Sequence, residues 1–270
     1  MTTVQRVITY IAIALAICLA VSIIGGILGA LGVVNLMVDT QDAVVEELQT
    51  YHVGAQIQNL DIEINAAELS IEEGDSFLVE SNLKYLQVKE KGGLLSIEET
   101  KINAGTYQDA VLTVYVPAGT VFDNVNLTTG AGRLTIGSLS AKTLDFELGA
   151  GDVTVDTLIA TQSADIDGGA GRITIHGGAL KDLELDMGVG QLNLTSALSG
   201  SCTMDMGVGE SNITLLGSKE DYKLDLEKGI GNITVDGKTG TDFGSSGANR
   251  VEINGGIGAI RVQFREADVQ

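Results

Sequence analysis

The chain has 270 residues, with 36 acidic and 16 basic side chains and a formal net charge of −20 at pH 7. Such an excess of acids excludes nucleic acid as a partner, because binding phosphate groups requires a basic surface. Trp is absent and aromatic residues make up only 4% of the sequence, which disfavours a sugar-binding cleft built on aromatic side chains.

The first 38 residues are the most apolar part of the chain. They contain no acid and one base, Arg6, and residues 7–38 are uncharged. This run exceeds the roughly 20 residues that span a bilayer and the roughly 7–15 residues of a signal-peptide core. We predict one uncleaved transmembrane helix in residues 1–38, which places the protein in the cell membrane. Arg6 favours a cytoplasmic N-terminus and an extracytoplasmic C-terminal domain.

Small residues recur four apart within this run, as at Gly25 and Gly29. Such spacing would allow self-association through the transmembrane helix, although Gly and Ala are common in membrane helices in any case. Residues 39–55 predict a juxtamembrane helix or stalk, because Val44, Leu48 and Tyr51 recur at helical spacing.

Residues 56–124 alternate apolar and polar side chains, as strands do, and contain the single proline, Pro117. They lack the repeat marker that follows. We interpret them as an N-terminal β cap, because a stack of repeats needs atypical units at its exposed end.

From about residue 125 to residue 264, the chain repeats one pattern seven times. Its marker is Gly-x-Gly, with strictly alternating apolar and polar residues on both sides. The copies begin at Gly130, Gly149, Gly169, Gly188, Gly207, Gly229 and Gly256. A fixed period of about 20 residues indicates stacked structural units, and glycine permits a tight corner between two strands.

We therefore predict an all-β protein. Residues 125–270 would form a single-stranded β-helix, or β-solenoid, of about seven coils, with the β cap before it and the transmembrane helix before the cap. A β-sandwich or barrel is the alternative, because its strands also recur at regular intervals. The repeated glycine corners favour the solenoid. Gly237–Asn249 lengthens the last spacing and is typical of an inserted loop.

One column of the repeat is acidic. Stacking would align the outward acids of the strand before Gly-x-Gly in two adjacent rows: Asp145, Glu147, Asp165, Asp167, Glu184, Asp186, Asp205, Asp225 and Glu227. Like charges about 4.8 Å apart in water repel by roughly 0.9 kcal/mol per pair. One interpretation of these rows is a device that keeps a β-rich protein soluble. The other interpretation is a cation-binding stripe, for calcium or for a polycationic peptide.

Other motifs imply no cofactor. The Gly-x-Gly tripeptides lack the third glycine and the helix of a dinucleotide-binding loop. His52 and His176 have no neighbouring ligands in the sequence that would complete a zinc site. Cys18 lies in the apolar run and Cys202 in an inward column, so no disulfide framework is expected.

Val114–Asp123, with the sequence VYVPAGTVFD, precedes the strand–Gly-x-Gly–strand repeats. This arrangement resembles the bacterial putative-adhesin family of β-strand-repeat domains, over about residues 56–264. The resemblance implies a cell-envelope protein, commonly behind a membrane helix. The molecular function of that family is largely unassigned, and no catalytic residues carry over from it.

These observations predict a membrane-anchored, envelope-exposed β-solenoid that is not an enzyme. It would act as a binding, adhesin-like or envelope-sensing module whose partner is a cationic peptide or another envelope component. One alternative is a carbohydrate-active β-helix enzyme that uses clustered acids for acid–base chemistry. The other is a purely structural envelope scaffold.

Overall fold

A computed structural model describes residues 44–101, 107–240 and 246–266 of the chain. In these residues, fifteen strands join one sheet, and a short 3-10 helix covers Lys219–Asp221. The strands are β1 Val45–His52, β2 Asn59–Gly74, β3 Leu78–Leu83, β4 Leu86–Lys91, β5 Leu94–Glu99, β6 Val111–Pro117, β7 Phe122–Ile175, β8 Gly178–Lys181, β9 Leu183–Ser199, β10 Ser201–Leu216, β11 Tyr222–Glu227, β12 Ile230–Val235, β13 Lys238–Thr239, β14 Asn249–Asn254 and β15 Ile257–Arg265.

Segments one repeat apart pair in parallel and in register, so the chain winds into stacked coils. Leu185 of β9, for example, lies opposite Ile166 of β7 on one side and Met204 of β10 on the other. A third, shorter segment completes each coil, as β8 does between β7 and the end of β9. The prediction of an all-β fold built from repeated strands is confirmed.

The inward columns are the apolar residues that the alternation predicts. Phe146, Ile166, Leu185 and Met204 are all buried on successive coils. The third segment contributes a second column, in which Leu139, Leu158, Leu180 and Leu198 are also buried. Each coil therefore buries aliphatic side chains from all of its segments, and burial of this kind is the main stabilising term in such a stack.

The Gly-x-Gly corners bring successive backbones into close approach. Gly190 has φ +151°, and a Cβ there would lie 1.8 Å from the carbonyl oxygen of Gly171. The next corner repeats this arrangement, because a Cβ on Gly209 would lie 1.7 Å from the oxygen of Gly190. The corner thus requires glycine for its backbone angle and for its lack of a side chain.

The last two coils do not follow the order of the chain. β14 and β15 lie between β10 and the pair β11–β12, so that Val251 is opposite both Cys202 and Leu224. Gly258 likewise lies between Gly209 and Gly231. The repeat that begins at Gly256 is therefore inserted between the two repeats that precede it in the sequence.

The opposite end of the stack also departs from chain order. β2 pairs in parallel with the first part of β7, and β5 and β6 pair in parallel with the other edge of β2. β2, β5 and β6 thus extend the stack beyond the seven predicted repeats, with strands that carry no Gly-x-Gly. Antiparallel strands then cover this end: β4 on β5, β3 on β6, and β1 on β3.

Two predictions about the N-terminal region need correction. Val45–His52 form β1, not the helix expected within residues 39–55. The predicted single-pass membrane location is contradicted and is withdrawn, because no helix in the described ranges is both long and apolar enough to cross a membrane. Residues 7–38, on which that prediction and the predicted self-association were based, lie outside the described residues.

Candidate cation-binding face

The parallel register brings the predicted acids together on one side of the stack. Asp165 lies opposite Glu184, and Asp167 opposite Asp186. Asp186 in turn lies opposite Asp205 on the next coil. All nine predicted acids are exposed, and we call them the acidic face: Asp145, Glu147, Asp165, Asp167, Glu184, Asp186, Asp205, Asp225 and Glu227.

The acidic face extends further than the sequence indicated. Asp61 and Glu63 of β2 occupy the equivalent positions on their coil, and Glu98 of β5 lies opposite Glu63. No glycine corner marks these strands, so the sequence alone did not place them in the rows. The alternation of charged residues with Leu60, Ile62 and Ile64 was the available signal.

The carboxylates at the centre of the acidic face repel one another. Partial desolvation raises the pKa of Asp165, and the charges of Asp167, Glu184, Asp145 and Glu147 raise it further. The pKa of Asp186 is raised in the same way, by desolvation first and then by Asp205, Asp167 and other neighbours. The fold therefore holds these groups close together at a cost to their charged forms.

Most of the acidic face has no cation beside it. Within the described residues, no ion pair involves Asp145, Glu147, Asp165, Asp167, Glu184, Asp186 or Asp205. The strands after the glycine corners differ, because their bases pair with acids on neighbouring coils. These pairs are Arg133–Glu68 at 3.5 Å, Arg172–Asp152 at 3.4 Å and Arg261–Glu210 at 3.2 Å. The carboxylates of the acidic face thus lack the basic partners that acids beside the glycine corners have.

Arg250 contacts two carboxylates on the acidic side of the stack. Its Nη2 lies 3.0 Å from Asp225 Oδ2 and 3.0 Å from Glu252 Oε2. Asp225 and Glu252 are register partners on adjacent coils, so a single guanidinium joins carboxylates from two coils. The insertion of β14 makes this contact, and the molecule itself thereby provides an example of how a cation sits on these rows.

The carboxylates of the acidic face can be compared with the requirements of a metal ion and of an organic cation. In the described parts of the chain, no cluster of three or more His, Cys, Asp or Glu side chains is suited to a metal. Calcium takes six to eight oxygen ligands, whereas a guanidinium is satisfied by two carboxylates. Carboxylate pairs across coils, such as Asp167 with Asp186, match the second requirement.

Two grooves follow the glycine corner and are separate from the acidic face. They enclose about 470 and 380 Å³, part of it open to solvent. Glycine backbone, alanines and aliphatic side chains line them, including Leu148, Met187 and Met206. None of the nine carboxylates of the acidic face borders either groove, and the charged residues that line the grooves are Arg133, Arg172 and Lys228.

A family model described as Toastrack DUF4097 matches residues 86–263. The chain belongs to this family. The match confirms the predicted relationship to adhesin-like β-strand-repeat domains. It begins at β4, so the Toastrack stack of this protein includes one coil, β2, that precedes the matched residues.

Several solved structures of bacterial proteins are similar to this chain. A putative cell adhesion protein of Clostridium sporogenes is 15% identical, with 81% of this chain and 99% of that one covered and a TM-score of 0.37. A putative adhesin of Bacteroides fragilis is 13% identical, with 80% and 95% covered and a TM-score of 0.43. A putative adhesin of Parabacteroides distasonis is 14% identical, with 82% and 98% covered and a TM-score of 0.43. The chain has no significant match among curated proteins.

The raised pKa values predict how the stability of this Toastrack stack depends on pH. The folded state binds protons at Asp165 and Asp186 more tightly than the unfolded chain does. Their contribution therefore destabilises the fold as pH rises above about 3.8, the ordinary pKa of an aspartate. The double variant Asp165→Asn/Asp186→Asn should therefore be more stable than the native protein at pH 7, by less than about 1 kcal/mol per site after screening. Below about pH 3.8 this advantage should disappear.

Denaturant unfolding at pH 7 and pH 3.5 measures both free energies. The double variant Asp75→Asn/Asp156→Asn serves as a control, because it removes two exposed carboxylates outside the acidic face. If both variants gained the same stability at pH 7, the result would contradict repulsion among the carboxylates of the acidic face.

Proposed function

We propose that this protein is a non-catalytic, adhesin-like binding module whose acidic face holds a cationic peptide segment. The contact of Arg250 with Asp225 and Glu252, at 3.0 Å to each, carries the proposal. The same cross-coil pairing of acids recurs at Asp167 and Asp186, where no basic side chain of the described residues is present.

The geometry of an extended peptide matches the two rows. On each coil the two acids stand two residues apart, which is about 6.8 Å along a strand. Side chains on one face of an extended peptide have the same spacing. A segment with arginine or lysine at alternate positions could therefore place one cation on each row, with further coils offering equivalent pairs about 4.8 Å away. Arginine suits such sites because its guanidinium binds two carboxylates at once.

The position of the acids supports binding over catalysis. A glycosidase needs two carboxyl groups converging on a substrate within a cleft. Here the carboxylates stand on exposed strand positions, whereas the grooves lie along the glycine corner. An open face of charge suits the recognition of a polycation and would speed its association.

Two variants of equal charge test the proposal. The face variant is Asp165→Asn/Asp167→Asn/Glu184→Gln/Asp186→Asn, and the control is Asp75→Asn/Asp156→Asn/Glu220→Gln/Glu266→Gln, which removes four scattered acids. Calorimetric titration with deca-arginine at physiological salt measures the affinity. Four exposed ion pairs at about 0.4 kcal/mol each predict a loss of roughly tenfold for the face variant. The control should lose much less.

A parallel titration with calcium distinguishes the two cation classes. Equal affinity of both variants for deca-arginine would reduce the acidic face to an aid to solubility and overturn the proposal. Saturable calcium binding that the face variant alone loses, without any binding of deca-arginine, would also overturn it and favour a metal site.

A further inference from the structure

The segment 249–265, which forms β14 and β15, joins the outermost C-terminal coil to the rest of the stack. On one side it pairs with β10, and on the other with β11 and β12. Among the described strands, β11 and β12 make no pairing with β10. The coil of residues 222–235 therefore depends on segment 249–265 for its place in the stack.

The space that this segment fills would be costly to leave empty. Its removal would expose the backbone N–H and C=O groups of β10 on one side and of β11 and β12 on the other. It would also uncover Met204, Ile213 and Ile233, all of which are buried. We call this space the slot. A strand pair has to occupy it for both neighbouring coils to be satisfied.

The slot accepts few sequences. A Cβ on Gly256 would lie 1.9 Å from the oxygen of Gly207, and one on Gly258 would lie 1.6 Å from the oxygen of Gly209. The occupant therefore needs glycine at both positions. It also benefits from positive charge, because Arg250 contacts Asp225 at 3.0 Å and Arg261 contacts Glu210 at 3.2 Å. Segment 249–265 of a second copy of this chain is identical and therefore meets both conditions.

The connection to the slot is compatible with exchange. Residues 240–248 separate β13 from β14, and their sequence, GTDFGSSGA, contains three glycines and two serines. Nine residues can span about 30 Å when extended. Exchange of an identical terminal element between copies creates no new contact chemistry, because every pairing of the monomer is reproduced in the dimer.

We propose that two copies of this chain can exchange segment 249–265, so that β14 and β15 of each copy fill the slot of the other. The resulting dimer keeps the ladders of both neighbouring coils and the ion pairs of Arg250 and Arg261. The monomer and the exchanged dimer then differ in connectivity alone, with a barrier set by release of the segment from the slot.

A disulfide at the slot reports which chain fills it. Val251 lies opposite Cys202 in the parallel register, and neighbouring strands are about 4.8 Å apart, within the 4.4–6.8 Å that a disulfide spans between Cα atoms. The full chain with Val251→Cys and Cys18→Ser is partly unfolded in denaturant at high concentration, refolded and then oxidised. We expect a dimer linked between chains on a non-reducing gel, in an amount that rises with protein concentration.

The matched control is the same variant oxidised as a monomer before the denaturant step. Its internal disulfide keeps segment 249–265 in its own slot, so it should yield no dimer. A second cysteine pair, Thr203→Cys with Glu252→Cys, uses the half-buried neighbours of the same register. It is made in a chain whose Cys18 and Cys202 are both replaced by serine, and it replaces the first pair if that variant fails to fold. Refolding that yields monomers alone, or dimers whose disulfides are all internal, would overturn the proposal. Equal dimer yield from the locked control would do the same.

Discussion

Replacing Gly190 by alanine is expected to destabilise the stack by about 4 kcal/mol or to prevent folding. The backbone there has φ +151°, and the added Cβ would lie 1.8 Å from the oxygen of Gly171. Strain at such an angle costs about 1–3 kcal/mol, and separating the two coils weakens ladder hydrogen bonds that contribute about 0.5–1.5 kcal/mol each. Thermal unfolding followed by circular dichroism measures the effect.

Gly137→Ala is the matched control, since it places the same methyl group elsewhere in the sheet. Its Cβ would meet nothing closer than the oxygen of Ile71 at 3.9 Å, and its φ is not in the left-handed region. We expect its stability to stay within about 1 kcal/mol of the native value. Equal losses for the two variants would show that the close approach at the glycine corner does not matter.

Leu185→Asp is expected to unfold the coils around it. Leu185 is 1% exposed and lies between Ile166 and Met204 of the adjacent coils. An ionised carboxylate in that column has no partner, which costs several kcal/mol, and the larger losses seen in proteins come from this mechanism. Because protonation relieves the cost, the variant should recover part of its stability as pH falls.

The control for the added charge is Asn126→Asp, which introduces one carboxylate at an exposed position of the same sheet. It should lose less than about 1 kcal/mol, from repulsion alone. Near-normal thermal stability of Leu185→Asp would mean that the inward column has been assigned to the wrong side of the strand.

The repeated strands were predictable because one local rule governs each of them. Alternation placed Ile166, Leu185 and Met204 inside, and the equal spacing of the glycines placed the same column of successive repeats in register. The same alternation and the same equal spacing predicted the two rows of acids. Asp186 lies between Asp167 and Asp205, as the period predicts.

The alignment of one repeat was harder to predict because a polar residue occupies an inward position. Ile213 and Leu215 are buried, as expected, but they align with Leu194 and Ser196. Ser211 takes the inward position opposite Leu192 and is itself buried, with its Oγ 3.1 Å from the sulfur of Met206. The sequence pattern does not indicate a serine as an inward residue, because a serine hydroxyl usually faces water.

The order of the terminal coils could not be read from periodicity. β11–β12 and β14–β15 carry the same alternation and the same Gly-x-Gly corner, so either pair fits against β10 as far as the pattern shows. The long spacing before Gly256 indicated a loop, but it did not indicate on which side of β11 and β12 the strands after the loop would pair. For the same reason, the contact of Arg250 with Asp225 was not foreseen, since it exists only when β14 lies beside β11.

The inserted order also determines when the end of the protein can be completed during synthesis. A chain leaves the ribosome from its N-terminus at about 5–20 residues per second, and the coils of β7 to β10 can each add to the one before. Residues 222–235 emerge before the segment that links them to β10. Residues 222–235 cannot take their place in the stack until residue 265 has been synthesised. A chain that terminates before that residue therefore retains an open edge on β10. A chain that includes residues 249–265 covers that edge, so premature termination before them would leave an open strand edge of the kind that promotes aggregation.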